Sequence, residues 1–94
     1  MIQKIKIGNN VALGVNLELL NANLIVIRAK KGYVMCGYLS METANRLGDV
    51  AAKVKDVKNV DEVLKAKVVE VSEKAKEIGI KEGMTGKGAL EKMF

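Results

Sequence analysis

The first part of the chain alternates between apolar and polar residues with the two-residue period of a β-strand. The clearest stretch is residues 11–19, where one side of the strand carries only large apolar residues and the other carries small or polar ones. The apolar side consists of Val11, Leu13, Val15, Leu17 and Leu19. A shorter alternation covers residues 2–7, and Gly8-Asn9-Asn10 between the two stretches tolerates the positive φ of a tight turn. We therefore predict two antiparallel strands joined by this turn.

Two further strands are predicted from runs that are apolar on both sides. Residues 24–29 are apolar at every position before Arg28, and Lys30-Lys31-Gly32 has the composition of a hairpin tip. Residues 33–39 are then the fourth strand, with Tyr33, Met35 and Leu39 on one side and Val34, Cys36 and Tyr38 on the other. The simplest arrangement is a meander of four strands, and both faces at its centre need to be covered.

Helical spacing begins after Ser40. This residue is a good N-cap, and Glu42 lies in the first turn, where the helix dipole favours an acid. Apolar residues follow at helical spacing, namely Ala44, Leu47, Ala51 and Val54. We therefore predict the longest helix of the chain, ending near Lys55, and a break over residues 56–59.

Shorter elements complete the chain. Asn59 and Glu62 have the spacing of a capping box, which predicts a short helix ending near Leu64. The remaining elements are a fifth strand over residues 66–71, a short helix behind Ser72 that ends at Gly79, and a last helix over residues 86–93 behind Thr85.

The predicted fold class is α+β, with an N-terminal antiparallel four-strand meander, then a helix, a short helix, a fifth strand and two C-terminal helices packed on one face. We predict a single domain over residues 1–94. Because the helices are few and short, the other face of the sheet needs a partner, and another copy of the chain is the simplest one. We therefore predict that residues 1–22 form a β oligomerisation region and that residues 23–94 form an α/β core. The predicted interface consists of Val11, Leu13, Val15, Leu17 and Leu19.

Length and composition narrow the class of protein. A chain of 94 residues buries only roughly 60–65% of the surface exposed when it is unfolded, so an apolar face is expected to be covered by another subunit. The longest apolar run, Leu24–Ile27, is far shorter than the ~20 residues of a membrane helix. The first residues lack a secretory pattern and the single cysteine forms no internal disulfide, so we expect a cytoplasmic protein with no membrane partner. Lysine and glutamate enrichment favours a thermophilic source, whereas seven asparagines and the absence of proline favour the opposite.

Most of the net charge of +5 lies in the first third of the chain. Residues 1–32 carry five basic side chains (Lys4, Lys6, Arg28, Lys30 and Lys31) against Glu18 alone, whereas seven lysines balance seven acids from Asp61 onward. This excess is either a patch for an anionic partner or a set of lysines that guard strand edges, and we favour the second. Tyr33 and Tyr38 face opposite sides of a strand and form no stacking platform, so we do not expect a nucleic-acid partner.

Two segments carry a family resemblance. Residues 23–54, NLIVIRAKKGYVMCGYLSMETANRLGDVAAKV, and residues 66–93, AKVVEVSEKAKEIGIKEGMTGKGALEKM, resemble the YunC-like family, which is domain of unknown function 1805. The strand GYVMCGYL, the helix after it and the ending GM-T-G-x-x-AL follow in order. The resemblance implies a small α/β domain whose N-terminal β-region assembles tetramers, and it implies no catalytic residue because no activity is established for the family. Asp56 stands where a loop glycine is expected, which leaves the shape of that connection open.

Cys36 is the first candidate for chemistry. A reactive cysteine needs a histidine, a cation or a helix N-terminus to stabilise its thiolate, and this chain has no histidine. Cys36 precedes the cap Ser40 by roughly 13 Å of strand, beyond the reach of the helix dipole. We therefore expect a buried core residue. The alternative is a reactive or ligand-contacting thiol near Lys30, Lys31 or a neighbouring subunit, with Gly37 as a bulge or a point of close backbone approach.

Other chemistry has weaker signals. The absence of histidine argues against a metal site, and we predict no metal and no cofactor. Thr85, Gly86 and Lys87 at the start of the last helix are a candidate anion contact, although the segment departs from a phosphate loop and simple helix capping is favoured.

We therefore predict a homo-oligomeric, non-enzymatic binding or structural module of unknown ligand. An enzyme of unknown reaction, with its site at a subunit interface near Cys36, is the alternative. A weak anion or nucleic-acid binder that uses the N-terminal lysines is a third hypothesis.

Overall fold

The computed structural model describes all residues, 1–94. It contains six strands and four helices, in the order β1 (Ile2–Ile7), β2 (Asn10–Glu18), β3 (Asn23–Arg28), β4 (Gly32–Met35), α1 (Met41–Leu47), β5 (Val50–Lys53), α2 (Val60–Lys65), β6 (Glu70–Val71), α3 (Glu73–Glu77) and α4 (Gly86–Glu91). The predicted α+β class is confirmed.

A single six-stranded sheet has the strand order β1-β2-β3-β4-β5-β6. The first four strands form the predicted antiparallel meander, and Gly8 has the positive φ of 61° that the first turn requires. The pairing of β4 with β5 is parallel, and α1 makes the connection between them.

The predicted extension of the first helix to Lys55 is wrong. The helix ends at Leu47 because Gly48 adopts a left-handed conformation, with φ 77° and ψ 26°, and its amide donates back to the last turn. The residues that follow form β5 instead. Ala51 and Val54 fitted the helical spacing, but a buried inner strand also buries residues at such positions, so the spacing alone was ambiguous.

Two strand boundaries also differ from the prediction. The fourth strand ends at Met35 rather than Leu39, and the chain turns over residues 36–39. The predicted strand over residues 66–71 is reduced to Glu70–Val71, although Lys67 forms an isolated bridge with Thr85. Both predicted runs were apolar enough for a strand, and only the pairing partners limit their length.

The predicted helix caps are confirmed. The side chain of Ser40 accepts a hydrogen bond from the Thr43 amide at 3.1 Å, and Asn59 accepts one from the Glu62 amide at 2.8 Å. Ser72 and Thr85 cap α3 and α4 in the same way. These caps depend on local sequence alone, which is why their positions are readable from it.

Asp56, which stands where the family resemblance places a loop glycine, adopts a left-handed conformation. It is the only non-glycine residue with a positive φ, at 58°. Asp is among the side chains that tolerate this region, so the loop does not require glycine at this position.

The sheet has a well-covered inner face and a partly covered outer face. On the inner face, α2, α3 and α4 pack on the main core, which includes Ile25, Ile27 and Val34 of the sheet together with Val63 and Leu90 of the helices. Both C-terminal helices thus lie on one face, as predicted. A Cβ at Gly86 would collide with the Val63 carbonyl oxygen, so this glycine allows α4 to approach α2.

The outer face is covered only over β4 and β5. The helix α1 packs there in a second, smaller cluster formed by Met35, Met41, Ala44 and Ala51. No helix covers the outer side of β1 and β2, and on β3 only Val26 packs against the α1 cluster.

Candidate functional site

The uncovered half of the outer face is apolar. On β2, the large residues at odd positions point outward, with Val11 58%, Leu13 38% and Leu17 52% exposed. The residues that point inward are small, since Ala12 is buried and a Cβ at Gly14 would collide with the Ile5 side chain. We call the outward side chains of β1–β3 the outer patch. Its apolar members are Ile2, Val11, Leu13, Val15, Leu17, Leu24 and Val26.

Four of the five predicted interface residues, Val11, Leu13, Val15 and Leu17, share one side of β2, and none of the five lies in the core. Val15 is partly buried, and Leu19 follows the end of the strand with 41% of its surface exposed. A monomeric protein rarely exposes a contiguous apolar patch of this kind, which marks the outer patch as a candidate interaction surface.

A groove lies between the outer patch and α1. It has a volume of about 590 Å³ and an apolar lining that includes Val15, Val26 and Met35 on the floor and Leu39 and Ala44 on the wall. Arg28 is the only charged side chain that lines the groove. The volume is within the usual range of small-molecule sites.

Tyr33 forms the edge of this groove and is held by a polar chain that reaches the core. Its hydroxyl donates to Asp49 Oδ2 at 2.8 Å, and the Asp49 carbonyl accepts from the buried Ser72 hydroxyl at 2.7 Å. Burial, followed by the hydrogen bond and the negative charge of Asp49, raises the pKa of Tyr33 to about 12. The hydrogen bond to Asp49 thus fixes the orientation of the Tyr33 ring and hydroxyl.

The basic side chains of the first third have no acidic partner. The two ion pairs of the structure join Lys53 to Glu70 and Lys76 to Glu73, both at 3.7 Å. Across the sheet, the strand register places Lys4, Leu13, Arg28 and Tyr33 in one row. Arg28 therefore adds an unpaired positive charge to the outer patch, where Lys4 and Lys6 of β1 also lie on the side of the apolar residues.

Cys36 is a buried core residue, with 3% of its surface exposed. Its Sγ accepts a hydrogen bond from the Ile25 amide at 3.3 Å and donates to the Asn23 carbonyl at 3.8 Å. The thiol thus continues the pairing with β3 beyond the end of β4. The adjoining cleft of about 250 Å³ has no basic side chain in its lining.

Gly37 has neither of the predicted backbone roles. It is exposed in the turn after β4, so it is not a bulge within a strand. A Cβ at this position would meet nothing closer than Lys55 Cγ, at 4.0 Å, so no close backbone approach requires a glycine. The prediction of a bulge or close approach is wrong because the strand ends earlier than expected.

The candidate anion contact at the start of α4 is used within the chain. The Gly86 amide donates to the Ala66 carbonyl at 2.8 Å, and Thr85 Oγ1 accepts from the Gly88 amide at 3.0 Å. Lys87 is exposed on this short helix. The arrangement favours helix capping and close packing over anion binding. No three His, Cys, Asp or Glu side chains converge as a metal site would require.

Of the residues that line the groove, the sequence assigned only Leu13 and Val15 of β2 to a binding surface. Arg28, Tyr33 and Thr43 come from three separate elements, and only the strand register and the position of α1 bring them together. The signal in the sequence was that the third and fourth strands are apolar on both sides, because such strands need another element to cover the outer face of the sheet.

Together the fold and this surface define a small α+β domain with a partly open apolar sheet face. Residues 35–93 match the protein-family model of domain of unknown function 1805, and the chain belongs to this family. The uncharacterized protein YunC of Bacillus subtilis (strain 168) is 35% identical over 84 residues, which cover 85% of this chain and 83% of that protein. The predicted family resemblance is confirmed.

A solved structure has the same fold. The crystal structure of a protein of unknown function from Thermoplasma acidophilum superposes with a TM-score of 0.96 and 44% sequence identity, covering 100% of this chain and 92% of that one. Neither relative's description states an activity. No helix of this chain has the length and apolar character needed to cross a bilayer.

Proposed function

We propose that the protein is a homo-oligomeric binding or structural module without enzymatic activity, in which another copy of the chain covers the outer patch. The observation that supports the proposal is the inverted burial of β2. This strand points its large apolar residues outward and its small residues, Ala12 and Gly14, into the core. Such an arrangement stabilises the protein only if the outward residues are buried by assembly.

The energetics favour association of like surfaces. Full burial of an exposed leucine or valine contributes roughly 1.5–3 kcal/mol, and Val11, Leu13, Leu17 and Leu19 are each 38–58% exposed. A twofold axis would place the same patch of both copies in contact, which doubles the apolar surface removed from water. The charged residues Lys4 and Lys6 lie on the edge strand β1, where their long side chains reach solvent at the margin.

The tetramer implied by the family resemblance is the assembly we propose, with residues 1–22 as the oligomerisation region. We place the protein in the cytoplasm, in keeping with its single unpaired cysteine. The alternative of an enzyme with a site near Cys36 has less support, because the thiol is buried and hydrogen-bonded to backbone groups.

Charged substitutions test the proposed interface. Leu13→Asp and Leu17→Asp each place an acid at an outward position of β2, and we expect both variants to sediment as the 10.2 kDa monomer. The matched control is Ile78→Asp, since Ile78 is 42% exposed but lies beside α3, away from the outer patch. The control is expected to keep the native mass. Variants of Leu13 and Leu17 that also keep the native mass would refute the interface.

A further inference from the structure

The floor of the groove has one charged end. Across the sheet, one row of side chains contains Leu13, Arg28 and Tyr33, and the next row contains Val15, Val26 and Met35. Adjacent rows are two residues apart along a strand, which is roughly 7 Å. Both rows line the groove, so an occupant that lies along β3 meets a positive charge at one end and apolar side chains beyond it.

The charge at this end is unbalanced. Arg28 forms no ion pair within the chain. One neighbouring cleft contains Lys4 and Lys30, and another contains Asp49 together with Lys30 and Lys31, so basic side chains outnumber the single acid around Arg28. Tyr33 beside it is a neutral phenol whose hydroxyl donates to Asp49. A guanidinium next to apolar surface binds a carboxylate through two parallel hydrogen bonds, more strongly than it does in open water.

We propose that the groove binds a single-chain amphiphile with a carboxylate head, its alkyl chain lying on Val15, Val26 and Met35 against α1 and its carboxylate at Arg28. This inference rests on the proposed binding role and assigns the ligand class that the role lacks. The apolar lining selects an alkyl chain, and the unpaired guanidinium selects an acid over an alcohol or an amine. All residues that line the groove come from one chain, but Leu13 and Val15 of its floor belong to the predicted oligomerisation region, so the groove lies at the margin of the proposed interface.

Calorimetric titration with decanoate below its critical micelle concentration tests this assignment. Decanol and decyltrimethylammonium serve as probes that have the same chain without the acid. We expect decanoate to bind about fivefold or more tightly than either, because only the acid engages Arg28.

Two substitutions separate the contribution of the carboxylate head from that of the alkyl chain of the ligand. Arg28→Gln is expected to weaken decanoate binding about fivefold and leave decanol binding unchanged. Thr43→Trp fills the groove from the exposed wall of α1 and is expected to abolish binding of both. Lys87→Gln is the matched control, because it removes an exposed positive charge far from the groove, and it is expected to bind decanoate like the native chain.

Sedimentation of the same samples gives their oligomeric state, so ligand binding and self-assembly are tested separately. Leu17→Asp lies outside the groove and is expected to bind decanoate even as a monomer. Equal affinity for decanoate and decanol, equal affinities of Arg28→Gln and Lys87→Gln for decanoate, or loss of binding in Leu17→Asp would each overturn the assignment. A native mass of one chain refutes self-assembly alone and leaves the ligand test intact.

Discussion

Ser72→Ala removes a hydroxyl that joins two parts of the fold. Ser72 is fully buried, and its Oγ accepts hydrogen bonds from the Ala51 and Ala75 amides at 3.0 and 3.2 Å and donates to the Asp49 carbonyl at 2.7 Å. It therefore caps α3, ties α3 to the start of β5 and fixes the residue that orients Tyr33.

The expected decrease in the free energy of unfolding follows from these hydrogen bonds. Removal of an N-cap costs about 1 kcal/mol, and each buried group left without a partner costs about 1–3 kcal/mol before relaxation. Because the groups left behind can partly find other partners, we expect a total loss of roughly 2–4 kcal/mol. The whole domain is stabilised by only about 5–14 kcal/mol, so the melting temperature should fall by roughly 10–25 °C.

Urea and thermal unfolding, each followed by circular dichroism, measure this loss. The control is Ser40→Ala, which removes one cap hydrogen bond at the exposed start of α1 and is expected to cost about 0.5–1 kcal/mol. If Ser72→Ala costs no more than Ser40→Ala, the role assigned to the buried hydroxyl is refuted.

Three further predictions concern single residues. We expect a thiol reagent to label Cys36 at least roughly a hundredfold more slowly in the folded than in the denatured chain, and equal rates would show that the thiol is accessible. Because the Tyr33 pKa is raised to about 12, the folded state binds its proton more tightly, and this contribution to stability is lost as the pH rises from 10 to 12. The fall in unfolding free energy over that range should be smaller in Tyr33→Phe, and equal slopes would contradict the assigned pKa. Asp56→Gly should raise the unfolding free energy by about 0.5 kcal/mol, because Asp56 has a φ of 58°, which glycine adopts more easily. The control Lys55→Gly in the same loop should lower the unfolding free energy. A lower unfolding free energy in both variants would argue against the left-handed conformation of Asp56.

Much of the fold is predictable because its signals are local. The caps at Ser40, Asn59, Ser72 and Thr85 depend on neighbouring residues, and the meander follows from alternation and turn residues. The end of α1 was missed because Ala51 in β5 and Val54 directly after it are buried and also fit a helical spacing. Only Gly48 marked the boundary, and a glycine within an apolar pattern is a weak signal.

The outer patch and the groove were predictable only in part, because they depend on contacts between elements that are distant in the sequence. Alternation along β2 assigned its large apolar residues to one side, but not whether that side faces the core or solvent. The choice depends on α2 and on Ile5, which leave room on the inner side only for Ala12 and Gly14. The groove combines residues of four elements, and no spacing along the chain encodes that combination.

Sedimentation equilibrium of the native chain over a range of concentrations tests the central claim that the outer patch is an interface between copies. We predict a mass of four times 10.2 kDa, with dissociation only on dilution. A single species of 10.2 kDa at every concentration would contradict the claim, because the apolar side of β2 would then remain in water.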